Sequence, residues 1–276
     1  MKTLEISGSS VPRLGQGTWN IGDSTSTRTA EIASLRRGVE LGMTLIDTAE
    51  MYGSGRSESL VGEAIASIRD RVQLVSKVLP SNASKEGTIR ACEATLKRLH
   101  VETLDLFLLH WRGRYPLRDT VEAFRQLLDQ GKIRAWGVSN FDVDDMEELF
   151  AVPGGSACAA NQVLYNPEHR GIEFDLVPWC LQRNVTIMAY SPLGQAGSLL
   201  NSAALNGVAR KQAVSPAQAA LAWCLRQPVL AIPKAGSVAH VEQNAAAESL
   251  ELDADDLAAI DSAFPAPKRK QPLGML

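Results

Sequence analysis

The sequence has few cysteines, few aromatic residues and almost no excess of charge of either sign. Its 276 residues include only four cysteines and four histidines, and aromatic residues make up 5% of the chain. No two cysteines are spaced as a CxxC pair, and the histidines form no HxH or HExxH motif. A metal site or a disulfide framework is therefore not expected, which favours a reducing compartment.

Charge and hydropathy exclude further classes of protein. With 28 basic and 31 acidic residues the net charge is −3, so the chain lacks the basic surface of a nucleic-acid binder. No apolar stretch approaches the roughly 18 residues that a membrane helix needs, and residues 1–5 begin no signal peptide. We therefore expect a soluble, cytoplasmic, globular protein whose partner is a small molecule, with no nucleic-acid or membrane partner.

Short apolar runs recur between longer segments of helical character. The eight runs begin near Gly15, Thr44, Val72, Leu104, Ile133, Ala159, Val185 and Val229. Continuous apolarity within a run, as in residues 104–109, is typical of parallel strands buried on both faces. Helix signals lie between the runs, at residues 28–41 before Gly42, at 120–130 before Gly131, and in the capping pattern of 215–218. Ser237 and Asp253 are further candidates for helix N-caps.

This rhythm predicts an α/β fold, the (β/α)8 TIM barrel, as a single domain over residues 1–276. Eight strand–helix units suit such a barrel, which typically needs about 250 residues. We expect a small N-terminal β-hairpin at residues 4–14 and a short irregular C-terminal tail at 265–276. A doubly wound sheet is the alternative, but the glycines of residues 15–22 lack the spacing of a dinucleotide-binding turn.

Polar side chains follow seven of the apolar runs. They are Asp47, Lys77, His110, Ser139–Asn140, Asn161–Gln162, Tyr190 and Lys234. In a (β/α)8 barrel the carboxyl ends of all strands open onto one face, where enzymes of this fold place their sites. The set therefore predicts a site with acid–base capability at that face.

Four residues can be interpreted as a proton-donating unit: Asp47, Tyr52, Lys77 and His110. A free tyrosine has a pKa of about 10, too high for efficient proton donation near neutrality. The Lys77 ammonium is expected to lower that pKa, with Asp47 holding Lys77 charged, while His110 binds a substrate oxygen. A Schiff-base lysine of a barrel aldolase is the alternative for Lys77. The presence of Tyr52 with Asp47 favours proton donation.

Motifs at the strand ends form a recognisable set. They include GQGTW at 15–19, LIDTA at 45–49 with YG at 52–53, VSK at 75–77, DLFLLHW at 105–111, GVSNF at 137–141, AYSPL at 189–193 and IPK at 232–234. In these motifs the chain resembles the aldo-keto reductases over nearly its whole length. Within that family the pattern is most similar to bacterial members that reduce methylglyoxal.

The resemblance implies an enzyme that reduces aldehydes and ketones, methylglyoxal among them, by hydride transfer from NADPH, with NADH as an alternative. It makes Tyr52 the general acid, tuned by Lys77 and Asp47, with His110 orienting the carbonyl. The implied cofactor residues are Thr18, Trp19, Asp47, Ser139, Asn140, Gln162, Tyr190, Ser191, Leu193, Lys234, Ser237, Gln243 and Asn244. Trp19 and Trp111 are implied to line the substrate pocket with Tyr52 and His110. A monomer is the family's default.

One departure from the family concerns the cofactor phosphate. Many NADP-preferring members have an arginine where this chain has His240, so a preference for NADPH depends on Lys234 and Ser237. A second hypothesis is a cofactor-binding redox sensor or regulatory subunit on the same scaffold. The loop at 193–207 and the tail are expected to shape the pocket.

Overall fold

The structure, a computed structural model, describes the backbone of residues 1–276 and the side chains of all of them except Ala196. Within this described part, no helix combines the length and apolarity needed to cross a membrane.

The chain begins with a β-hairpin. Strand β1 (Thr3–Ile6) pairs antiparallel with β2 (Ser9–Pro12), and Thr3 lies opposite Pro12. The two turn residues, Ser7 and Gly8, both have positive φ angles, 49° and 77°. Positive φ at both positions matches the right-handed twist of the flanking strands, which is why two-residue hairpin turns prefer it. The predicted hairpin is confirmed.

Eight parallel strands follow and pair with their neighbours in chain order. They are β3 (Gln16–Gly17), β4 (Leu45–Asp47), β5 (Gln73–Val78), β6 (Leu106–Leu109), β7 (Trp136–Ser139), β8 (Ala160–Leu164), β9 (Thr186–Tyr190) and β10 (Val229–Ala231). Each one starts at, or within three residues of, the start of a predicted run. The predicted strand positions are therefore confirmed.

The sheet closes on itself between its first and last strands. Parallel bridges join Leu14 to Ala231 and Gly17 to Lys234, and the Gly15 amide donates to the Ala231 carbonyl at 2.8 Å. A Cβ on Gly17 would lie 2.7 Å from the Ile232 carbonyl oxygen, so only glycine permits this approach. The fold is the predicted (β/α)8 barrel.

Ten α-helices surround the strands or extend the loops. They are α1 (Arg28–Glu40), α2 (Arg56–Ile65), α3 (Lys85–Leu99), α4 (Leu117–Asp129), α5 (Val143–Ala151), α6 (Leu176–Gln182), α7 (Ala203–Gln212), α8 (Pro216–Cys224), α9 (Val238–Ala246) and α10 (Ala254–Ala263). The predicted N-caps Ser215, Ser237 and Asp253 each accept a hydrogen bond from the backbone of the following turn. The helix predicted at 120–130 begins three residues earlier, at Leu117.

Apolar side chains fill the inside of the barrel and seal one of its ends. Leu45, Val75 and Leu106 pack in the interior, and Ile6 and Val11 of the hairpin join the same cluster. The hairpin therefore plugs the amino-terminal mouth of the barrel. The carboxyl ends of the strands remain as the face on which a site can form.

Candidate active site

The carboxyl ends of β4 and β5 bring Asp47 and Lys77 into direct contact. Lys77 Nζ donates to Asp47 Oδ2 at 2.7 Å, and both side chains are buried, with 0% and 2% exposed. Asp47 Oδ1 accepts a second bond from Gln162 Nε2 at 2.7 Å. Because both oxygens accept, Asp47 acts as a carboxylate and Lys77 as its ammonium partner.

The two other N–H groups of Lys77 are also engaged. One donates to the Thr48 carbonyl at 2.9 Å and the other to Tyr52 Oη at 3.1 Å. The ammonium also lies 4.7 Å from the centre of the Tyr52 ring. Lys77 therefore has no donor left for a substrate, and it acts on the site through Asp47 and Tyr52.

The pKa values of Tyr52 and Lys77 depend on their burial and on the charges beside them. Burial raises the pKa of Tyr52, and Lys77 opposes that rise only in part. The prediction that Lys77 brings this pKa below its ordinary value is thus wrong in this structure, because desolvation of the phenolate is the larger effect. Burial alone would lower the pKa of Lys77, but Asp47 and Tyr52 raise it above its usual value.

His110 lies directly beside Tyr52. The two ring centres are 5.9 Å apart in an edge-to-face arrangement, and His110 is 7% exposed. Burial, helped by the positive charge of Lys77, lowers the pKa of His110 to about 2, so the imidazole is neutral at any physiological pH. Its Nδ1 is buried without a hydrogen-bond partner. An unpaired buried acceptor costs less than an unpaired buried N–H, so the tautomer with its proton on Nε2 is favoured.

A second group of polar side chains lies at the ends of β7, β8 and β9. Asn140 Nδ2 donates to Ser139 Oγ and to the His110 carbonyl, both at 3.1 Å, and Tyr190 Oη donates to Asn140 Oδ1 at 3.0 Å. Ser139 is buried, whereas the Tyr190 ring is partly exposed. Asn140 and Ser191 hold positive φ angles of 59° and 48°. Non-glycine residues in this strained conformation cluster at functional sites.

Of the two predicted pocket tryptophans, Trp111 lies beside His110. Trp19 follows β3 and is 44% exposed, and the Trp111 ring lies 4.8 Å from the His110 ring. Thr18, in contrast, is fully buried and donates to the Asp47 carbonyl at 2.9 Å. The structure therefore places Thr18 behind the site, as a support for Asp47, and Trp111 against His110.

The remaining predicted residues lie further along the same face. Lys234 and Gln243 are exposed, Leu193 and Ser237 are partly buried, and Asn244 is 4% exposed. Ser34 Oγ of α1 contacts the carbonyls of Ala235 and Ser237 at 3.0 and 3.1 Å, which fixes the loop between Lys234 and α9. His240, in the first turn of α9, is exposed.

Glu50 lies outside the residues predicted from the sequence, and so does the individual contact of Lys270, although the tail itself was expected to shape the pocket. Glu50 accepts hydrogen bonds from the segment after β5. The C-terminal tail lies near the ends of β7 and β8, where Lys270 Nζ is 3.2 Å from Asp144 Oδ1. No local pattern signals either contact, because the partners come from different strand–helix units.

A cavity of about 580 Å³ lies at the other end of the barrel. It is bordered by the hairpin, by Arg69 and by Arg134, and none of the candidate site residues lines it. Since enzymes of this fold carry their sites at the carboxyl ends of the strands, this cavity is not the candidate active site.

Comparison with known proteins agrees with the fold. Residues 13–264 match the family model of the aldo/keto reductase family. The chain therefore belongs to the aldo/keto reductases, a family of oxidoreductases.

Individual relatives are similar over their whole lengths. The chain is 53% identical to methylglyoxal reductase YeaE of Escherichia coli (strain K12), covering 100% of this chain and 99% of the relative. It is 33% identical to glyoxal reductase of Bacillus subtilis (strain 168), covering 92% and 90%. A crystal structure of an aldo/keto reductase from Klebsiella pneumoniae in complex with NADP and acetate is 48% identical, with a TM-score of 0.97 and coverage of 100% and 99%.

Proposed function

We propose that this protein reduces aldehydes and ketones to alcohols with NADPH, and that α-oxoaldehydes such as methylglyoxal are among its substrates. The observation that carries the proposal is the buried Lys77 ammonium, which joins Asp47 to the Tyr52 hydroxyl beside a neutral His110. Support for the substrate class comes from the similarity to the methylglyoxal reductase and the glyoxal reductase.

The residues along the catalytic face suit an extended nicotinamide dinucleotide. Ser139, Asn140 and Gln162 carry hydroxyl and amide groups that complement a carboxamide, and the partly exposed Tyr190 ring offers a face for stacking. At the other end, Lys234, Ser237, Gln243 and Asn244 would hold the adenosine portion, with Lys234 facing its phosphate. Trp19, Ser191 and Leu193 would border the cofactor between these ends. When bound in its reduced form, the nicotinamide supplies a hydride.

Tyr52 is the group that protonates the substrate oxygen. Its Oη accepts the hydrogen bond from Lys77, so the phenol keeps its own proton for a substrate. The hydroxyl is protonated at neutral pH, and the charge of Lys77 offsets part of the cost that burial adds to its ionisation. As negative charge develops on the carbonyl oxygen, Lys77 stabilises the phenolate that forms when the proton leaves.

His110 binds the same oxygen without competing as an acid. With its proton on Nε2 the neutral imidazole donates a hydrogen bond, and its pKa of about 2 prevents it from carrying a second proton. Two donors, Tyr52 and His110, thus converge on one oxygen and stabilise the developing negative charge. Trp19 and Trp111 would hold the apolar part of a small carbonyl compound against this pair.

The test is NADPH consumption with methylglyoxal and a panel of aldehydes, ketones and sugars, for the wild type and Tyr52→Phe. Loss of general acid catalysis should lower kcat by about 10²–10⁴-fold, while NADPH binding is retained. Tyr115→Phe, at a tyrosine to which the proposed reaction gives no role, is the matched control and should keep wild-type turnover. Unchanged turnover in Tyr52→Phe contradicts the assigned acid. Tight NADPH binding without turnover of any carbonyl compound favours a redox sensor.

A further inference from the structure

Glu50 lies in the chain between Asp47 and Tyr52, but it has no role in the proposed reaction. We propose that Glu50 is a positioning residue, which anchors the loop carrying Tyr52 to the segment after β5 and thereby sets the contact between Tyr52 and Lys77. The inference deepens the proposed function and rests on it for the role of Tyr52.

The backbone of the loop after β4 continues to follow strand β5. The last paired residues of the two strands are Asp47 and Val75. Beyond them the Thr48 amide donates to the Val75 carbonyl at 2.9 Å, and the Glu50 amide approaches the Lys77 carbonyl at 3.5 Å. The backbone amides of alternate loop residues thus face β5, as those of a paired strand do. The backbone hydrogen bond at Glu50 is longer, and therefore weaker, than the one at Thr48.

The Glu50 side chain provides the next contact along this edge. Its Oε1 accepts the Leu79 amide at 2.6 Å and Asn82 Nδ2 at 3.0 Å. Leu79 directly follows β5, and Asn82 ends the turn Pro80–Asn82. One carboxylate oxygen thus replaces a missing backbone acceptor and ties two donors of the β5 segment to the Tyr52 loop. Bonds to an ionised acceptor are stronger than bonds between neutral groups.

The contacts that hold the start of this loop act at Thr48, so Glu50 provides the anchor nearest to Tyr52. The Tyr52 amide donates to the Ala49 carbonyl at 3.0 Å, which forms a turn centred on Glu50 and Met51. Met51 is 40% exposed and adds little packing. Without the Glu50 anchor the turn is free to move away from β5, and the 3.1 Å contact between Tyr52 and Lys77 is lost. A displacement of about 1 Å in a catalytic group can cost about 10²-fold in rate.

The first experiment compares Glu50→Ala with Glu50→Gln, because glutamine keeps an acceptor oxygen. For Glu50→Ala we expect kcat with methylglyoxal to fall about 10- to 100-fold and the KM for NADPH to change less than about twofold. Glu50→Gln should restore most of the rate, and Asn82→Ala, which removes one of the two donors, should lie in between. Glu63→Ala, at an exposed glutamate of α2 paired with Arg28, is the matched control and should match the wild type.

The second experiment needs no turnover, so it separates failure of this inference from failure of the proposed function. Tyrosinate absorbance near pH 10.5 is recorded for the cofactor-free protein, and the signal of the corresponding Tyr52→Phe variant is subtracted. Because burial raises the pKa of Tyr52 more than Lys77 lowers it, release of the loop into solvent should leave Tyr52 more ionised in Glu50→Ala than in the wild type. Equal Tyr52 ionisation in the two proteins overturns the inference, as does a Glu50→Gln variant as slow as Glu50→Ala.

Discussion

The Lys77 ammonium lies 3.1 Å from the Tyr52 hydroxyl oxygen and donates its other two hydrogen bonds to Asp47 and Thr48. A Schiff-base lysine must be neutral and have its lone pair open to a carbonyl carbon. Lys77 meets neither condition, since it is fully buried and Asp47 and Tyr52 raise its pKa. The geometry therefore disfavours the aldolase alternative and favours a role for Lys77 in stabilising the tyrosinate.

The contributions of Asp47 and Lys77 to the free energy of unfolding should be strongly coupled. Asp47→Asn leaves a buried ammonium unpaired and Lys77→Met leaves a buried carboxylate unpaired, so each should cost about 3–5 kcal/mol of unfolding free energy. The double variant should lose much less than the sum of the two, which urea unfolding of all four proteins will measure. The exposed pair Arg37–Glu40 is the control, with an expected coupling of about 0–1 kcal/mol. Additive losses at Asp47 and Lys77 would contradict a shared buried interaction.

The pH dependence of reduction should show no titration of histidine. Only the protonated phenol donates, and because burial raises the pKa of Tyr52, activity is lost only as the pH rises through a value above its ordinary one of about 10. His110, with a pKa of about 2, stays neutral throughout. At saturating NADPH we therefore expect kcat to be level between about pH 6 and pH 9. A step near pH 6.5 that disappears in His110→Gln would show that His110 titrates during turnover.

The cofactor's phosphate should be recognised locally, through Lys234. Lys234 is exposed and makes no ion pair with any side chain that the structure describes, so its charge is available to a ligand. Lys234→Ala should raise the KM for NADPH about tenfold, equivalent to about 1.4 kcal/mol, and change the KM for NADH little. Lys85→Ala, at a lysine of α3 that pairs with Glu122 of α4, should alter neither KM. Equal effects on both cofactors would remove Lys234 from the phosphate role.

The C-terminal tail should affect access to the site through a single lysine. Besides Asp144, Lys270 Nζ lies 3.7 Å from Asp142 Oδ2 and 3.9 Å from Asp175 Oδ2, so it neutralises three acids at the ends of β7 and β8. Lys270→Gln should loosen the tail and raise the KM for carbonyl substrates a few-fold. Because Lys270 is 42% exposed, about 0.5 M NaCl should have a similar effect on the wild type.

The matched control for this tail prediction is Lys268→Gln. Lys268 lies in the same tail and forms no ion pair within the described part of the structure. If Lys268→Gln and Lys270→Gln change the KM equally, the acid cluster does not hold the tail.

Much of the fold follows from local pattern. The apolar runs coincide with the eight barrel strands because strands buried on both faces require continuous apolarity, whatever they pack against. The capping boxes at Ser215 and Asp253 form as expected, since both partners lie within one helical turn. The convergence of Asp47, Lys77 and His110 was equally predictable, because the barrel brings all carboxyl ends of its strands to one face.

The direction of the Tyr52 pKa was not predictable from the residues alone. Neighbouring charge is visible in a motif, but desolvation depends on how many atoms of other segments surround the phenol, and here it outweighs Lys77. The contact of Gln162 with Asp47 joins residues 115 positions apart, so no spacing rule could reveal it.

The amino-acid sequence by itself determined the strand positions, the helix starts after Ser215, Ser237 and Asp253, and which polar residues follow the strands at the catalytic face, because these depend on apolar periodicity, on capping side chains and on the direction of the chain. Only the tertiary structure decided that Thr18 supports Asp47 from behind, that Glu50 anchors the Tyr52 loop, and that His110 is neutral. These properties depend on distances of a few ångströms and on burial by residues remote in the chain, and both arise only when the barrel closes.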